Sequence, residues 1–274
     1  MDHSPFPLCD LSLARRLERC EAKSNASFVA ARARLFPSSG AAWLDHAGAY
    51  AMFDAVAGSP LTQTFGFGMF TPASEHDLAV LEQFLLDRGA EPFHEVSPLA
   101  GNESLAILDA RGYRPIELTS VMFRPLPASL ERGSVPTRMA LPEEADLWGQ
   151  TSAEGWSEYP ELTSFIQELG RITASTEGTT PFFAELDGRP VATGALAMHD
   201  GVALLAGAST VPSARNRGAQ RALLEARLRH AAESGCDLAM MCAAPGSTSQ
   251  RNAERQGFRI AYTRTKWGRR EANG

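Results

Sequence analysis

The run Val211-Pro212-Ser213-Ala214-Arg215-Asn216-Arg217-Gly218-Ala219-Gln220-Arg221 sets three arginines around one glycine, where a β-rich stretch gives way to an amphipathic helix. Backbone N–H groups at a helix start have no intrahelical partner, and the helix dipole adds roughly half a positive charge. Such a turn is an anion cradle, suited to a phosphate. Gly218 lets the backbone approach a ligand closely, and Arg215, Arg217 and Arg221 supply charge around it.

The elements that must position this turn are legible from about residue 135 onward. Residues 135–141 read as a strand, and Pro142 followed by Glu143 and Glu144 is a helix start. Residues 182–186 and 191–198 flank Asp187-Gly188-Arg189-Pro190, a hairpin signal, and His199-Asp200-Gly201 is a second turn. The strand at 202–211 feeds the Arg/Gly turn. The helix after it carries Leu224, Leu228 and Ala231 on one face and stops near Gly235. A buried-strand run at 238–242, a short helix at 247–256 and a last strand from Gly257-Phe258 through Lys266 complete the series.

Arg215-x-x-Gly218-x-Gln220 resembles the acyl-CoA pyrophosphate loop of the GNAT superfamily of N-acetyltransferases, whose pattern is Arg/Gln-x-x-Gly-x-Gly/Ala after a strand. Gln220 departs from it, standing where a small residue usually lets the pyrophosphate sit against the helix. A second landmark, residues 247–258 ending in Gly257-Phe258, is similar to the helix-then-Gly-Phe segment that completes the acyl-CoA site. The resemblance covers roughly residues 135–268. It implies an α/β (α+β) GNAT fold, a mixed central sheet flanked by helices. It further implies acetyl-CoA as co-substrate, no metal, and an amine acceptor that attacks the thioester directly. The donor would be held by Ser209, Thr210, Val211, Arg215, Arg217, Gly218, Ala219, Gln220 and Arg221, with Ser249 and Asn252 from the second landmark. Backbone N–H groups near 208–211 would bind the pantetheine arm and polarise the carbonyl.

The first half carries an echo of this plan. Gly101 to Arg114 parallels Gly246 to Arg259, with Gly112-Tyr113-Arg114 matching Gly257-Phe258-Arg259 at an offset of about 145 residues, which points to duplication. Thr71-Pro72 matches Val211-Pro212 at an offset of only about 140, and Thr71 to Asp77 has two acids and neither Arg nor Gly. That counterpart should repel a pyrophosphate. The expected organisation is two tandem copies: a helical segment at 1–27, a degenerate GNAT-like domain at 28–125, a linker at 126–135, and the working domain at 136–274.

Proton transfer has no obvious owner. Many family members place a tyrosine acid four residues before the Gly-Phe pair, and here that position is Ala253. Ser249 and Tyr262 are the substitutes. The strand at 202–211 has no carboxylate or histidine, so the base is sought in Glu154, with Glu158, Tyr159, Glu185 and His199 as further candidates. Gly155-Trp156-Ser157-Glu158-Tyr159 combines aromatic surface with acid, a composition suited to a cationic amine or to an ordinary turn between helices.

A formal charge of −6 over 274 residues argues against a nucleic-acid partner. Twelve of the 26 Lys+Arg nevertheless fall between Arg215 and Arg270, against four acids, which fits a small polyanionic ligand. The expectation is a cytoplasmic protein, monomer or homodimer, with no membrane span or secretory signal. Cys9, Cys20, Cys236 and Cys242 lack metal-binding spacing and read as small apolar residues. The rival to an N-acetyltransferase is a non-catalytic acyl-CoA-binding or regulatory module; an enzyme using a longer acyl-CoA or an O-acceptor is a further alternative.

Overall fold

The chain runs twice through one series of elements, three strands, helix, strand, helix, strand. In the computed structural model, which describes residues 6–126 and 134–269, a helix α1 (Leu11–Leu35) comes first. It leads into β1 (Ala42–His46), β2 (Ala49–Phe53), β3 (Gln63–Phe65), α2 (Glu75–Leu86), β4 (His94–Val96), α3 (Asn102–Ala110) and β5 (Tyr113–Pro125). The second pass is preceded by β6 (Thr137–Met139), α4 (Ala145–Glu154) and α5 (Thr163–Ala174). It continues through β7 (Thr179–Leu186), β8 (Arg189–His199), β9 (Val202–Thr210), α6 (Ala219–Glu233), β10 (Leu238–Ala243), α7 (Thr248–Arg255) and β11 (Arg259–Arg269). Mixed strands flanked by helices are the architecture expected. Most of the anticipated linker at 126–135 lies outside the described residues. No helix among the described residues is long and apolar enough to cross a membrane.

Two compact units result, one from Met1–Arg124 with Met240–Gly274, the other from Pro125–Ala239. The expected partition differs in two places. The boundary at 27/28 falls inside α1, the helix expected over residues 11–35, which runs on to Leu35 with Leu13, Leu17, Cys20, Val29 and Ala31 buried along its length. Residues from 240 onward group with the first half, because β11 lies between β4 and β5 and pairs antiparallel with both.

In the first unit the strand order is β1-β2-β3-β4-β11-β5, with the Met240–Ala243 part of β10 beside β5. Equivalent positions of the two passes exchange places where β5 meets β11. Pro115 pairs with Trp267, and Met122 pairs with Ile260. Adding the 145-residue offset to 115 and 122 gives 260 and 267, so the two pairs are one pair seen from either end. Gly112 and Gly257 both take φ +83°, and the residues after them, Tyr113 and Phe258, are both buried. Ala22, Ala26 and Val29 of α1 pack on Tyr50, Met52 and Phe65, while Leu78, Leu81, Leu108 and Tyr113 form a second cluster with Trp267.

The second unit is an antiparallel array β9-β8-β7-β6. Both hairpins turn through Asp-Gly with positive φ at each residue, 51° and 72° at Asp187-Gly188, 51° and 76° at Asp200-Gly201. That is the turn whose twist matches the strands it joins. Trp148 of α4 is buried against Phe183 and Ala195 and donates its indole N–H to the Phe182 carbonyl at 3.0 Å. Between β8 and β9 the register slips: Ala195 faces Ala206, yet Thr193 faces Ser209, leaving one extra residue in β9. Gly207 lies in this bulge at φ +60°, and a Cβ there would stand 2.9 Å from Trp148 Cη2. Ala206, Gly207 and Ala208 are the exposed residues of a strand otherwise buried or half-buried.

Candidate active site

Two residues past the end of β9, Pro212–Ala214 makes one turn of 3-10 helix, Asn216 and Gly218 both enter the left-handed region at φ 63° and 85°, and α6 opens at Ala219. A Cβ on Gly218 would meet nothing nearer than Val135 at 3.6 Å, so conformation rather than crowding selects glycine here. Gly218 is the N-cap residue and supplies no side-chain cap, and the first turn of α6 carries no acid. The N–H groups of Ala219, Gln220 and Arg221 therefore have no intrahelical acceptor. Arg217 and Gly218 beside them are exposed.

The arginines divide by what they already hold. Arg215 donates to Glu158 Oε1 and to the Gly155 carbonyl, both at 2.9 Å, and its guanidinium draws the Glu158 carboxyl below the usual range. Arg221 pairs with Glu225 one turn along at 2.8 Å. Arg217 makes no hydrogen bond or ion pair among the described residues. Gln220 turns its amide to the Ser209 carbonyl (2.6 Å) and Thr210 Oγ1 (2.7 Å), tying the helix start to the strand end. Val211 is buried and donates its N–H to Val191.

The corresponding start of α2 is closed to anions. Ser74 caps it by accepting from the Asp77 N–H, Glu75 and Asp77 occupy the first turn, and Asp77 also takes hydrogen bonds from Ser74 Oγ and His46 Nε2. These donors hold the Asp77 carboxyl below its ordinary value. A negative charge is already fixed where a phosphate would have to sit.

Among the base candidates, Glu154 ends α4 and is exposed. The next residue, Gly155, lies so close to the end of β9 that a Cβ would fall 1.9 Å from Ser209 Oγ and 3.0 Å from the Thr210 nitrogen. Ser209 Oγ in turn donates to the Ser152 carbonyl at 2.8 Å. Glu154, the exposed Trp156 and Tyr159, and the Arg215-bound Glu158 thus share a segment laid against the strand that leads into the loop. Glu185 is committed to Arg138 at 2.7 Å. His199 pairs with Val202 at the hairpin end, four residues along β8 from Ala195, about 13 Å at strand rise.

The acid candidates fare differently. Tyr262 is buried in the first unit and donates to Glu18 Oε1 at 2.7 Å; burial and the neighbouring Glu18 push its phenol well up. Its proton is engaged by Glu18 inside the unit. Arg264 beside it binds Glu21 at 2.8 and 3.0 Å and Glu95 at 2.8 Å. Ser249 and Asn252 are exposed on α7, whose cap is Ser247 rather than Ser249. Ala253 is buried, so a side chain at that position points into packed protein. Arg227, buried on α6, was not anticipated; its signal is an arginine three residues after Leu224 and one before Leu228, on the apolar face.

Residues 142–258 match the family model described as Acetyltransferase (GNAT) family. No curated relative matches the chain. Among solved structures, a GCN5-related N-acetyltransferase from Kribbella flavida superposes with a TM-score of 0.62 at 17% identity, covering 90% of this chain and 96% of that one. A GNAT-family protein from Novosphingobium aromaticivorans gives 0.50 at 18%, covering 81% and 89%. A tandem GNAT protein from the clavulanic acid biosynthesis pathway gives 0.50 at 15%, covering 70% and 68%. At these identities the likeness is one of fold.

Proposed function

We propose, from the match of residues 142–258 to the GNAT acetyltransferase family model, that this protein is an acetyl-CoA-dependent N-acetyltransferase acting on a primary amine of a small molecule or peptide. The observation that carries the proposal is the start of α6, uncapped, free of acid, and flanked by the uncommitted Arg217 directly after a bulged strand. The pyrophosphate is received by the N–H groups of 219–221 and by Arg217. The thioester lies along the exposed 206–208 segment of β9, whose backbone donors stabilise the oxyanion that forms when the amine attacks. The nucleophile is the neutral amine, so a proton must leave it; Glu154, directly or through water, is the acceptor. Trp156 and Tyr159 offer aromatic surface to a cationic amine before it loses that proton.

The first pass is a degenerate copy of the second, and donor binding belongs to the second alone. A non-catalytic acyl-CoA-binding module is the second reading, favoured by the burial of Ala253 and the capture of the Tyr262 hydroxyl by Glu18. In the enzyme reading the leaving thiolate takes its proton from solvent.

Calorimetric titration with CoA and acetyl-CoA, followed by thiol release across an amine panel, tests both readings. Binding with turnover supports the enzyme. Binding without turnover on any amine favours the module, and no binding removes both.

A further inference from the structure

Arg227 is an arginine in the wrong place for ordinary stability. It is 3% exposed, it has no carboxylate partner among the described residues, and burial alone draws its guanidinium down to about 10, still charged at neutral pH. A buried ion without a counter-ion is costly, and an apolar side chain of similar volume is often the more stable choice. What Arg227 holds is specific. Nη1 donates to the Ala195 carbonyl at 3.1 Å and to the Ala206 carbonyl at 3.2 Å, while Nε donates to Leu223 at 3.2 Å.

Ala195 and Ala206 face each other at the edge of the β9 bulge, so one nitrogen bridges the two strands where their regular ladder fails. Room for it is made by Gly194, where a Cβ would lie 2.8 Å from Arg227 Cζ. Thr193 Oγ1 takes the next carbonyl, that of Gly207, at 3.3 Å. The carbonyls of Ala206 and Gly207 are thus both engaged, and 206–208 is the exposed stretch of the strand.

We propose that Arg227 is a positioning residue that clips β8 to β9 at Ala195 and Ala206 and holds the bulge in the form that receives the acyl thioester. This rests on the acetyl-donor reading above. It gives the buried guanidinium a role: from the helix α6 a single Nη1 reaches the carbonyls of both strands at the edge of the bulge.

The test compares full-length Arg227→Met, Arg227→Lys and Gly194→Ala with wild type. In Arg227→Met, hydrogen exchange in peptides covering 204–209 should rise at least tenfold while exchange elsewhere is unchanged. CoA affinity should stay within about twofold, because the α6 start is untouched, and kcat for thiol release should fall at least twentyfold. Arg227→Lys should recover part of that loss, and Gly194→Ala, which displaces the guanidinium, should reproduce it. Unchanged exchange at 204–209, turnover within threefold of wild type, or parallel loss of CoA affinity and turnover would overturn the proposal. Should Arg227→Met not fold, the lysine variant carries the same readouts. A wild type that binds no CoA sinks the donor reading and the role of the bulge in it, while exchange at 204–209 still decides whether Arg227 clips the strands.

Discussion

Arg217 and Arg215 stand two residues apart and do different work. Arg217 is uncommitted, so reversing it should cost donor binding directly: Arg217→Glu is expected to weaken CoA at least tenfold, or about 1.4 kcal/mol, by calorimetry. Arg215 is already bonded to Glu158 and Gly155, so Glu158→Gln should alter the KM for the amine more than that for acetyl-CoA. Equal shifts in both would place Glu158 outside the acceptor path. Glu18 offers a separate test at this scale. Burial, with Glu21 and Glu95 close by, raises its carboxyl above 4.5. The folded state then favours the protonated form, and the associated stability is full below 4.5 and lost as pH rises through the folded value. Glu18→Gln should abolish that loss, so variant and wild type should diverge by up to about 1.4 kcal/mol per pH unit in urea melts taken upward from pH 4.5. Parallel curves would contradict it.

At the scale of elements, the start of α6 and the start of α2 differ in their readiness for an anion. One is uncapped and acid-free, the other is capped by Ser74 and filled by Asp77. Charge reversal at Glu75 is expected to leave CoA affinity unchanged, since that helix start is already closed; a change above threefold in titration would return it to the binding problem. Much of this was legible in the chain. The Arg215-x-x-Gly218 turn, both Asp-Gly hairpins and the paired Gly112 and Gly257 are local signals, set by backbone conformations that few residues adopt. Other features were not legible for a physical reason. Ala253 faces inward and the Tyr262 hydroxyl is spent on Glu18 because of packing between segments far apart in sequence. Arg227 stands on the apolar face in the sequence, but the Ala195 and Ala206 carbonyls it binds are brought together only by the long-range pairing of β8 with β9.

For the molecule as a whole, strand order is the property that sequence pattern conveys least, because it is fixed by long-range pairing. The expected partition followed the chain, whereas β11 completes the first unit by standing between β4 and β5. Residues 1–126 alone therefore lack a central strand and should fail to fold cooperatively, as judged by circular dichroism and thermal melting; a cooperative transition would contradict that role for β11. The exchange of Pro115–Trp267 with Met122–Ile260 is what a duplicated unit sharing its last strands would produce.

The most direct measurement is a calorimetric titration of the full-length protein with acetyl-CoA, run beside Gly218→Glu and Asp77→Lys. Saturable binding by wild type is expected, with loss of that binding in Gly218→Glu and wild-type affinity in Asp77→Lys. Binding that survives a glutamate at Gly218, or that is lost on altering Asp77, would contradict that expectation.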